Sequence, residues 1–121
     1  MNQDINKTSF GSITIQGNRY EHDIIIRMDG RILKRKKKLS KRIFGTSHII
    51  SIDEAKYIFE KGAKHLIIGS GQYGQVTLSE EAEKYFKKKE CEVKIFPTPE
   101  ALKQWNIQEK GAVIALFHLT C

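Results

Sequence analysis

The second half of the chain alternates apolar runs with segments of helical periodicity, and this alternation constrains the fold more than any other feature. The apolar runs are LIIG at 66–69, EVKIF at 92–96 and AVIALFHLTC at 112–121. Because helix-like segments separate these runs, they are predicted to form parallel strands joined by right-handed crossovers, although the direction of the last strand stays open. Continuous apolar runs are typical of a sheet covered on both faces.

The three helix-like segments carry start signals. Ser51 stands three residues before Glu54, which is the spacing of a capping box. Ser79 is the predicted N-cap of the second helix, and acidic residues follow it in the first turn. Thr98 is the predicted N-cap of the third helix, with Pro99 at the first helical position. The segments are therefore predicted to be helices rather than loops.

The first third of the chain is predicted to form strands. Gly17-Asn18 and Asp29-Gly30 are turn signals that separate three β-prone segments: the stretch around Ile13 and Ile15, the isoleucine run at 24–26, and RILKR at 31–35. Together with the alternation above, they predict a three-layer α/β fold with a mixed central sheet, in which an N-terminal antiparallel meander of three strands precedes an αβαβαβ arrangement. Residues 1–121 are interpreted as a single domain, with residues 1–9 as a candidate flexible segment.

Length and composition indicate one globular domain, since the chain has 121 residues of which 40% are hydrophobic and 29% charged. No apolar run approaches the roughly 20 residues of a membrane-spanning helix, and MNQDINKTSF lacks the pattern of a signal peptide. Cys91 and Cys121 form no C-x-x-C pair and are predicted to be free thiols. We therefore expect a cytoplasmic protein, monomeric or homodimeric, without a membrane span, metal or cofactor.

Residues 31–42, RILKRKKKLSKR, hold eight of the 21 lysine and arginine residues. The other 13 (21 minus 8) stand against 14 acidic residues, so the formal net charge of +7 comes from this segment. We favour a solvated edge strand and loop here, because lysines on an edge strand discourage pairing between sheets. The alternative is a nucleic-acid-binding surface. Its candidate residues are Arg35, Lys36, Lys37, Lys38, Lys41 and Arg42.

The stretch GSGQYG at 69–74 has the G-x-G-x-x-G spacing of a dinucleotide-binding turn. In such a site the helix begins within the glycines, whereas here QVTLS separates them from the helix capped by Ser79. The acidic residue expected near the end of the next strand is also missing, because that strand ends IFPTP. We interpret the motif as a sharp turn after a buried strand. Its successive N–H groups are a candidate anion-binding concavity.

Candidate catalytic groups are few. His118 and Cys121 are three residues apart on a predicted strand and would face opposite sides, so His48 is the better partner for the Cys121 thiol. We interpret these residues as structural, and H-x-x-C supplies only two metal ligands. The carboxylates give no acid–base pair, because a local turn or helix cap explains each of three aspartates: Asp23, Asp29 and Asp53.

Several landmarks follow one another along the chain: FGSITIQGNRYEHDIII, the DGR turn at 29–31, GTSHIIS, LIIGSGQYG, PTPEAL at 97–102 and a terminal FHLTC. In these landmarks the chain resembles an uncharacterised family of small single-domain proteins from archaea and bacteria. Animal relatives in that family are an adipogenesis-associated domain protein and a mitochondrial complex I assembly factor. The resemblance implies a three-layer domain with a mixed sheet and no known reaction. The lysine run is denser than the family pattern.

The resemblance also implies that the loops at 45–48 and 69–74 lie near one sheet edge, beside the terminal FHLTC strand. A small cleft there would be lined by Ser47, His48, Gly69, Gly71, Gln72, Tyr73 and Cys121.

We therefore expect a non-enzymatic binding or assembly module that acts on another protein. One alternative is a small-molecule or anion-binding protein, or an enzyme, that uses the same cleft. The other alternative is nucleic-acid binding through residues 31–42.

Overall fold

A five-stranded mixed sheet lies at the centre of the computed structural model, which describes residues 5–108 and 111–120. Its strands are β4 (Ile24–Ile26), β5 (Ile32–Lys34), β7 (His65–Ser70), β9 (Glu92–Phe96) and β10 (Val113–His118). In space they follow the order β5-β4-β10-β7-β9. Strand β7 pairs in parallel with both β9 and β10, which confirms the prediction from the alternating pattern. Strand β10 pairs antiparallel with β4, and β4 with β5, so the sheet is mixed.

Both faces of this sheet are buried, because adjacent residues of a strand belong to opposite faces. In β4, Ile25 packs into one hydrophobic cluster, whereas Ile24 and Ile26 pack into the other. In β10, Ile114 and Leu116 join the first cluster. The strands therefore appear in the sequence as continuous apolar runs rather than as an alternation of apolar and polar residues.

Helices and a second sheet cover the two faces. Helices α2 (Ile52–Ile58) and α3 (Glu80–Lys88) pack on the first face. Helix α4 (Thr98–Ile107) packs on the second face, through Ala101 and Trp105. A three-stranded antiparallel sheet shares the second face, and its strands are β1 (Ile5–Ser9), β2 (Ser12–Ile15) and β3 (Asn18–Tyr20). The three-layer α/β fold is confirmed.

The N-terminal meander is present, but its strands differ from the predicted ones. The turn between β2 and β3 uses Gln16 and Gly17, with φ angles of 47° and 81°. The predicted second and third strands belong to the central sheet as β4 and β5, because three consecutive isoleucines need burial on both faces. Strand β1 lies within the candidate flexible segment, and Ile5 is buried in the second cluster.

The basic segment contains a helix that its sequence pattern does not predict. Strand β5 does lie at an edge of the sheet, but Lys38–Phe44 forms helix α1 instead of a loop. Leucine, lysine and arginine favour helices, and Gly45 closes this one in a left-handed conformation with φ 71°. The serine at position 40 is fully buried, so α1 is held against the domain by a polar contact rather than by an apolar stripe.

The predicted helix starts at Ser51 and Ser79 are confirmed. The Ser51 hydroxyl accepts a hydrogen bond from the Glu54 N–H (3.2 Å), and the Ser79 hydroxyl accepts one from the Ala82 N–H (3.1 Å). Helix α4 begins at Thr98, one residue earlier than predicted, since Pro97 takes the N-cap position.

Two short strands, β6 (Ile49–Ile50) and β8 (Thr77–Leu78), form a separate parallel pair. Two-residue strands leave no periodic signal, so the sequence does not predict them. Within the described part of the chain, no helix combines the length and apolar character needed to cross a membrane.

Candidate functional site

A buried charged cluster lies between β4, β5, α2 and the end of β10, and Arg35 is at its centre. The Arg35 guanidinium donates to both carboxylate oxygens of Glu54 and, at 2.9 Å, to Oδ2 of Asp23. It also donates to the Ser47 carbonyl at 2.7 Å. The Arg35 and Glu54 side chains are fully buried, and that of Asp23 is 3% exposed. Each charge therefore has an oppositely charged, hydrogen-bonded partner, as buried ions require.

Asp23 is the second centre of the cluster. Its Oδ2 lies 2.6 Å from Nδ1 of His118, and its Oδ1 accepts the Leu119 N–H at 2.9 Å. Burial alone would raise the pKa of Asp23, but the hydrogen bond and charge of His118, the Leu119 N–H and the Lys37 ammonium lower this pKa to about 2. Since an ionised carboxylate only accepts, Nδ1 of His118 is the donor. We call Asp23, Arg35, Glu54 and His118 the charged cluster.

Two serines connect the charged cluster to α1. The Ser40 hydroxyl donates to the Glu54 carboxylate and accepts the Ser51 N–H at 2.9 Å. The Ser51 hydroxyl donates to the Leu39 carbonyl at 2.9 Å while it caps α2. Only half of the predicted capping box therefore forms, because the Glu54 carboxylate binds Arg35 and Ser40 instead of reaching back to the Ser51 N–H.

A cavity of about 800 Å³ opens next to the charged cluster, where the chain passes from β5 into α1. Its walls carry six lysine and arginine side chains that are exposed or half-buried, and we call this cavity the basic cleft: Lys34, Lys36, Lys37, Lys38, Lys41 and Arg42. Glu21 and His22 also line it. Arg35 contributes to the wall, but its side chain is turned into the buried cluster.

The cations of the basic cleft have few partners. Lys37 lies 3.6 Å from Asp23, and the Lys36 ammonium stands 4.4 Å from the centre of the Tyr57 ring. Among the described residues, no carboxylate lies within salt-bridge distance of the other four: Lys34, Lys38, Lys41 and Arg42. The cleft is thus a concave, positively charged surface, and four of its six cations have no carboxylate partner among the described residues.

The N–H groups of the glycine-rich loop donate hydrogen bonds to acceptors within the domain. The Gly71 N–H donates to the Thr98 hydroxyl at 2.9 Å, and the Thr98 N–H donates back to the Gly71 carbonyl. The Gln72 N–H donates to the Thr120 carbonyl at 2.6 Å, and the Gly74 N–H donates to the Gly71 carbonyl. These three N–H groups are consequently engaged within the chain rather than directed at a ligand.

Gly69 lies within β7 and serves close packing. A Cβ atom at this position would come within 2.7 Å of the Phe117 ring and 3.0 Å of the Thr98 hydroxyl. The first glycine of the motif therefore allows α4 and β10 to approach β7, and no nucleotide is needed to explain it.

The comparisons with known proteins agree with this fold. A family model described as "Protein of unknown function (DUF498/DUF598)" matches residues 5–118. The chain belongs to this family. The conserved hypothetical protein PH1505 from Pyrococcus horikoshii OT3 is 35% identical, with a TM-score of 0.90 over 98% of this chain and 99% of that chain.

Two further solved structures resemble this DUF498 domain. The structure named MT938 is 30% identical, with a TM-score of 0.83 over 98% of this chain and 99% of that one. A Mth938-like domain from Bordetella pertussis is 15% identical, with a TM-score of 0.65 over 97% of this chain and 85% of that one. At 15% identity the likeness concerns the fold alone. None of these descriptions names an activity.

The structure of this DUF498 domain brings the two predicted loops to the same C-terminal segment. The His48 ring packs edge-on against His118, with 5.6 Å between ring centres, and the Ser47 carbonyl binds Arg35. Gly71 and Gln72 reach residues 118–120 through Thr98 and the Thr120 carbonyl. Tyr73 is 73% exposed, and its ring centre lies 6.3 Å from that of Phe10. Cys121 lies outside the described residues.

The candidate nucleic-acid residues divide into two groups. Lys36, Lys37, Lys38, Lys41 and Arg42 line the basic cleft. The prediction that Arg35 contacts nucleic acid is wrong, because such contact needs an exposed side chain. The Arg35 side chain is fully buried and bound by two carboxylates. A run of basic residues in the sequence does not indicate which of the side chains is buried.

Sequence reasoning missed the charged cluster. A local turn does not account for Asp23, because this residue is buried and binds Arg35 and His118. The available signal was its place directly before three isoleucines, where a carboxylate needs a partner if the strand is buried.

Metal and thiol chemistry find no support in the described residues. Across residues 5–108 and 111–120, no three His, Cys, Asp or Glu side chains are grouped to hold a metal ion. Burial raises the pKa of the Cys91 thiol to about 11, so this thiol is uncharged at neutral pH.

Proposed function

We propose that this DUF498 domain is a non-enzymatic binding module that holds nucleic acid by its phosphate backbone in the basic cleft. The observation that carries the proposal is the convergence of six cationic side chains on one cavity of about 800 Å³. Phosphate contacts by lysine and arginine supply most of the affinity of sequence-independent nucleic-acid binding, through the release of counterions. A concave arrangement of such cations follows a strand better than a flat patch does.

Helix α1 supports the choice of nucleic acid. Lys38, Lys41 and Arg42 lie on this helix, and Phe44 follows Lys41 by three residues, which places the two on neighbouring positions of one helix face. Phe44 is 38% exposed and offers an aromatic surface beside the cations. Aromatic rings next to a basic groove provide stacking for unpaired bases, so a single strand is the expected form of the ligand.

The charged cluster supports binding rather than catalysis. Its arginine and carboxylates are buried and hydrogen-bond one another, so that Asp23 and Arg35, which reach the wall of the cleft, are already engaged. We assign to it the positioning of the segment that joins β5 to α1, because Arg35 immediately precedes Lys36 and Lys37 in the cleft wall. A rigid wall reduces the entropy lost when a ligand binds. Since nucleic acid is an intracellular ligand, the proposal places the chain in the cytoplasm.

A titration followed by NMR tests the location of binding. We expect a single-stranded RNA or DNA oligonucleotide, added to the labelled full chain at low salt, to shift the backbone amide signals of residues 34–42 and 21–23. The glycine-rich loop at 69–74 serves as an internal control and should not move. Saturable shifts centred on that loop, or no shifts at all, would contradict the proposal.

A second candidate function, docking of a partner protein, is favoured by an exposed aromatic pair. Phe10 and Tyr73 are 59% and 73% exposed, and their ring centres are 6.3 Å apart. Exposed aromatic pairs of this kind are enriched at protein interfaces. This alternative predicts that a purified partner binds the wild-type chain and loses affinity for the Phe10→Ser/Tyr73→Ser variant, while Lys38→Gln has no effect. Equal affinity of the wild type and the double variant would exclude the aromatic pair as the docking site.

A further inference from the structure

Strand β9 is one edge of the central sheet, and it carries an exposed apolar residue. Its backbone pairs with β7 on one side, and no described strand pairs with it on the other. Ile95 is 41% exposed, and a cavity of about 540 Å³ lies beside it, with Phe86, Cys91 and Val93 in its lining. An open strand edge is a template for pairing with another chain unless charges or prolines block it.

The backbone groups of two residues point out of this edge. The Glu92 N–H donates to the Lys64 carbonyl at 2.9 Å, so the backbone of Glu92 faces into the sheet. Since successive residues of a strand direct their N–H and C=O groups to alternate sides, those of Val93 and Ile95 face outwards. The edge of β9 therefore offers two donors and two acceptors that no described strand engages.

The charges of β9 select one way in which a second copy of the chain can pair with this edge. Two copies related by a two-fold axis perpendicular to the sheet pair antiparallel, and one residue of β9 then lies on the axis, opposite its own copy. With Val93 on the axis, Glu92 of each chain lies opposite the partner's Lys94, in a non-hydrogen-bonded pair whose side chains approach closely. With Lys94 on the axis, the two lysines oppose each other. The Val93 register is therefore the complementary one.

Both charged side chains are free to make this contact. Within one chain Glu92 and Lys94 are 3.9 Å apart, and each side chain is 59% exposed. A lysine on an edge strand usually discourages pairing, but here Glu92 supplies the opposite charge two residues away on the same face.

The Val93 register also suits the backbone and the apolar side of β9. The two Val93 residues lie in a hydrogen-bonded pair and exchange both N–H···O bonds. Ile95 lies opposite the partner's Cys91, at the lining of the cavity of about 540 Å³, so an exposed apolar side chain is covered. With Ile95 on the axis, Val93 would instead lie opposite the partner's Pro97, which has no N–H to donate.

The distribution of charge over the whole chain favours β9 over the other edge of the sheet. The positive charge is concentrated in residues 31–42, which include the other edge strand, β5. Pairing through β9 keeps the two basic clefts at the outer ends of the combined sheet, whereas pairing through β5 would bring them together.

We propose that two copies of the chain pair antiparallel through β9, with Val93 on the two-fold axis, and form one continuous sheet. This interaction goes beyond the nucleic-acid binding proposed above and does not depend on it. A contact built on one short strand belongs to the small interfaces, so the dimer forms reversibly, with a dissociation constant of about 1 μM to 1 mM.

Sedimentation equilibrium of the full chain, at concentrations up to about 1 mM, tests the proposal. We expect reversible dimers of the wild type. Lys94→Glu and Glu92→Lys should each weaken dimerisation by at least about fivefold, because both attractive cross-strand pairs become repulsive. The charge swap Glu92→Lys/Lys94→Glu restores opposite charges and should dimerise within about threefold of the wild type.

Lys56→Glu is the matched control, because Lys56 is an exposed lysine of α2, and this change should not weaken dimerisation. The sign of the Lys94→Glu effect is itself diagnostic. This change lowers the net charge of each chain from +7 to +5 (7 minus 2), so general repulsion between the chains would predict tighter association.

Hydrogen exchange provides a second measurement on the wild type. The amides of Val93 and Ile95 should exchange more slowly as the protein concentration rises, because pairing protects them, whereas the Glu92 amide is bonded within the chain and should not change.

A wild type that stays monomeric at about 1 mM would overturn the proposal and leave this edge to solvent or to a strand of another protein. A charge swap that dimerises no better than the single variants would also overturn it. So would equal weakening by Lys56→Glu and Lys94→Glu, or exchange at Val93 and Ile95 that does not depend on concentration.

Discussion

Asp23 and His118 are 95 positions apart in the chain, and their side chains meet with 2.6 Å between Oδ2 and Nδ1. The same Asp23 oxygen binds Arg35, which in turn binds Glu54. The contact therefore joins the end of the central strand β10 to Arg35, which lies between Lys34 and Lys36 of the basic cleft. In this domain a buried ionic network, rather than an apolar stripe, holds the cationic segment in place.

Asp23 should make the stability of the domain depend on pH in the acidic range. Its pKa in the folded chain is about 2, below the ordinary value of 3.8, so its contribution is fully present above about pH 4 and is lost as the pH falls towards 2. Between pH 5 and pH 2 the free energy of unfolding of the wild type should fall by about 2 kcal/mol more than that of Asp23→Asn. Urea unfolding at a series of pH values measures this difference.

The exposed Asp53→Asn is the control for that experiment and should follow the wild type. Parallel curves for the wild type and Asp23→Asn would contradict the role of Asp23.

Removal of the central arginine should leave two carboxylates buried without their main partner. We expect Arg35→Met to lower the free energy of unfolding by about 3–5 kcal/mol. The double variant Arg35→Met/Glu54→Leu should be more stable than Arg35→Met alone, since one of the uncompensated charges is gone. Chemical denaturation of the three chains gives these values.

Arg31→Met is the matched control for Arg35→Met. Arg31 forms a surface ion pair with Asp29, and its side chain is 67% exposed, so its loss should cost less than about 1 kcal/mol. Similar losses for the two arginines would argue against a buried network.

Thr98 should hold the glycine-rich loop to the rest of the domain. Its hydroxyl donates to the His118 carbonyl at 2.6 Å and accepts the Gly71 N–H at 2.9 Å. Thr98→Val keeps the shape but leaves both backbone groups without this partner, at a cost of about 2 kcal/mol. Hydrogen exchange of the Gly71 amide should become faster in Thr98→Val and stay near the wild-type rate in Thr98→Ser. An unchanged exchange rate in Thr98→Val would mean that another group protects this amide.

The sequence predicts the layered α/β fold because the relevant signals are local and periodic. Each element is indicated by a few neighbouring residues: strands β7, β9 and β10 by their apolar runs, and helices α2 and α3 by the caps at Ser51 and Ser79. Helix α1 escaped prediction because its inward contact is a single serine hydrogen-bonded to Glu54, which leaves no apolar stripe to detect. The pairs Asp23–His118 and Arg35–Glu54 form because the fold brings distant segments together, and no spacing along the chain predicts them.

The candidate site shows the same division. The cationic composition of residues 31–42 indicates a basic surface, but only the fold turns Arg35 inwards and directs its neighbours to the cleft. For the glycine pattern at 69–74 the sequence signal was misleading. Its spacing is typical of a nucleotide-binding turn, but in the structure Gly69 allows close packing and Gly71 forms an internal hydrogen bond.

The salt dependence of oligonucleotide binding tests the central claim most directly. The measurement compares the wild type with Lys38→Gln/Lys41→Gln/Arg42→Gln in the basic cleft, and with Lys87→Gln/Lys88→Gln/Lys103→Gln, which removes the same charge from exposed positions elsewhere. We predict that the cleft variant lowers the slope of log affinity against log salt by about 2 for a single strand, because three phosphate contacts are lost, and that the control variant keeps the wild-type slope. Equal slopes for the two variants, or wild-type binding that does not change with salt, would contradict the account.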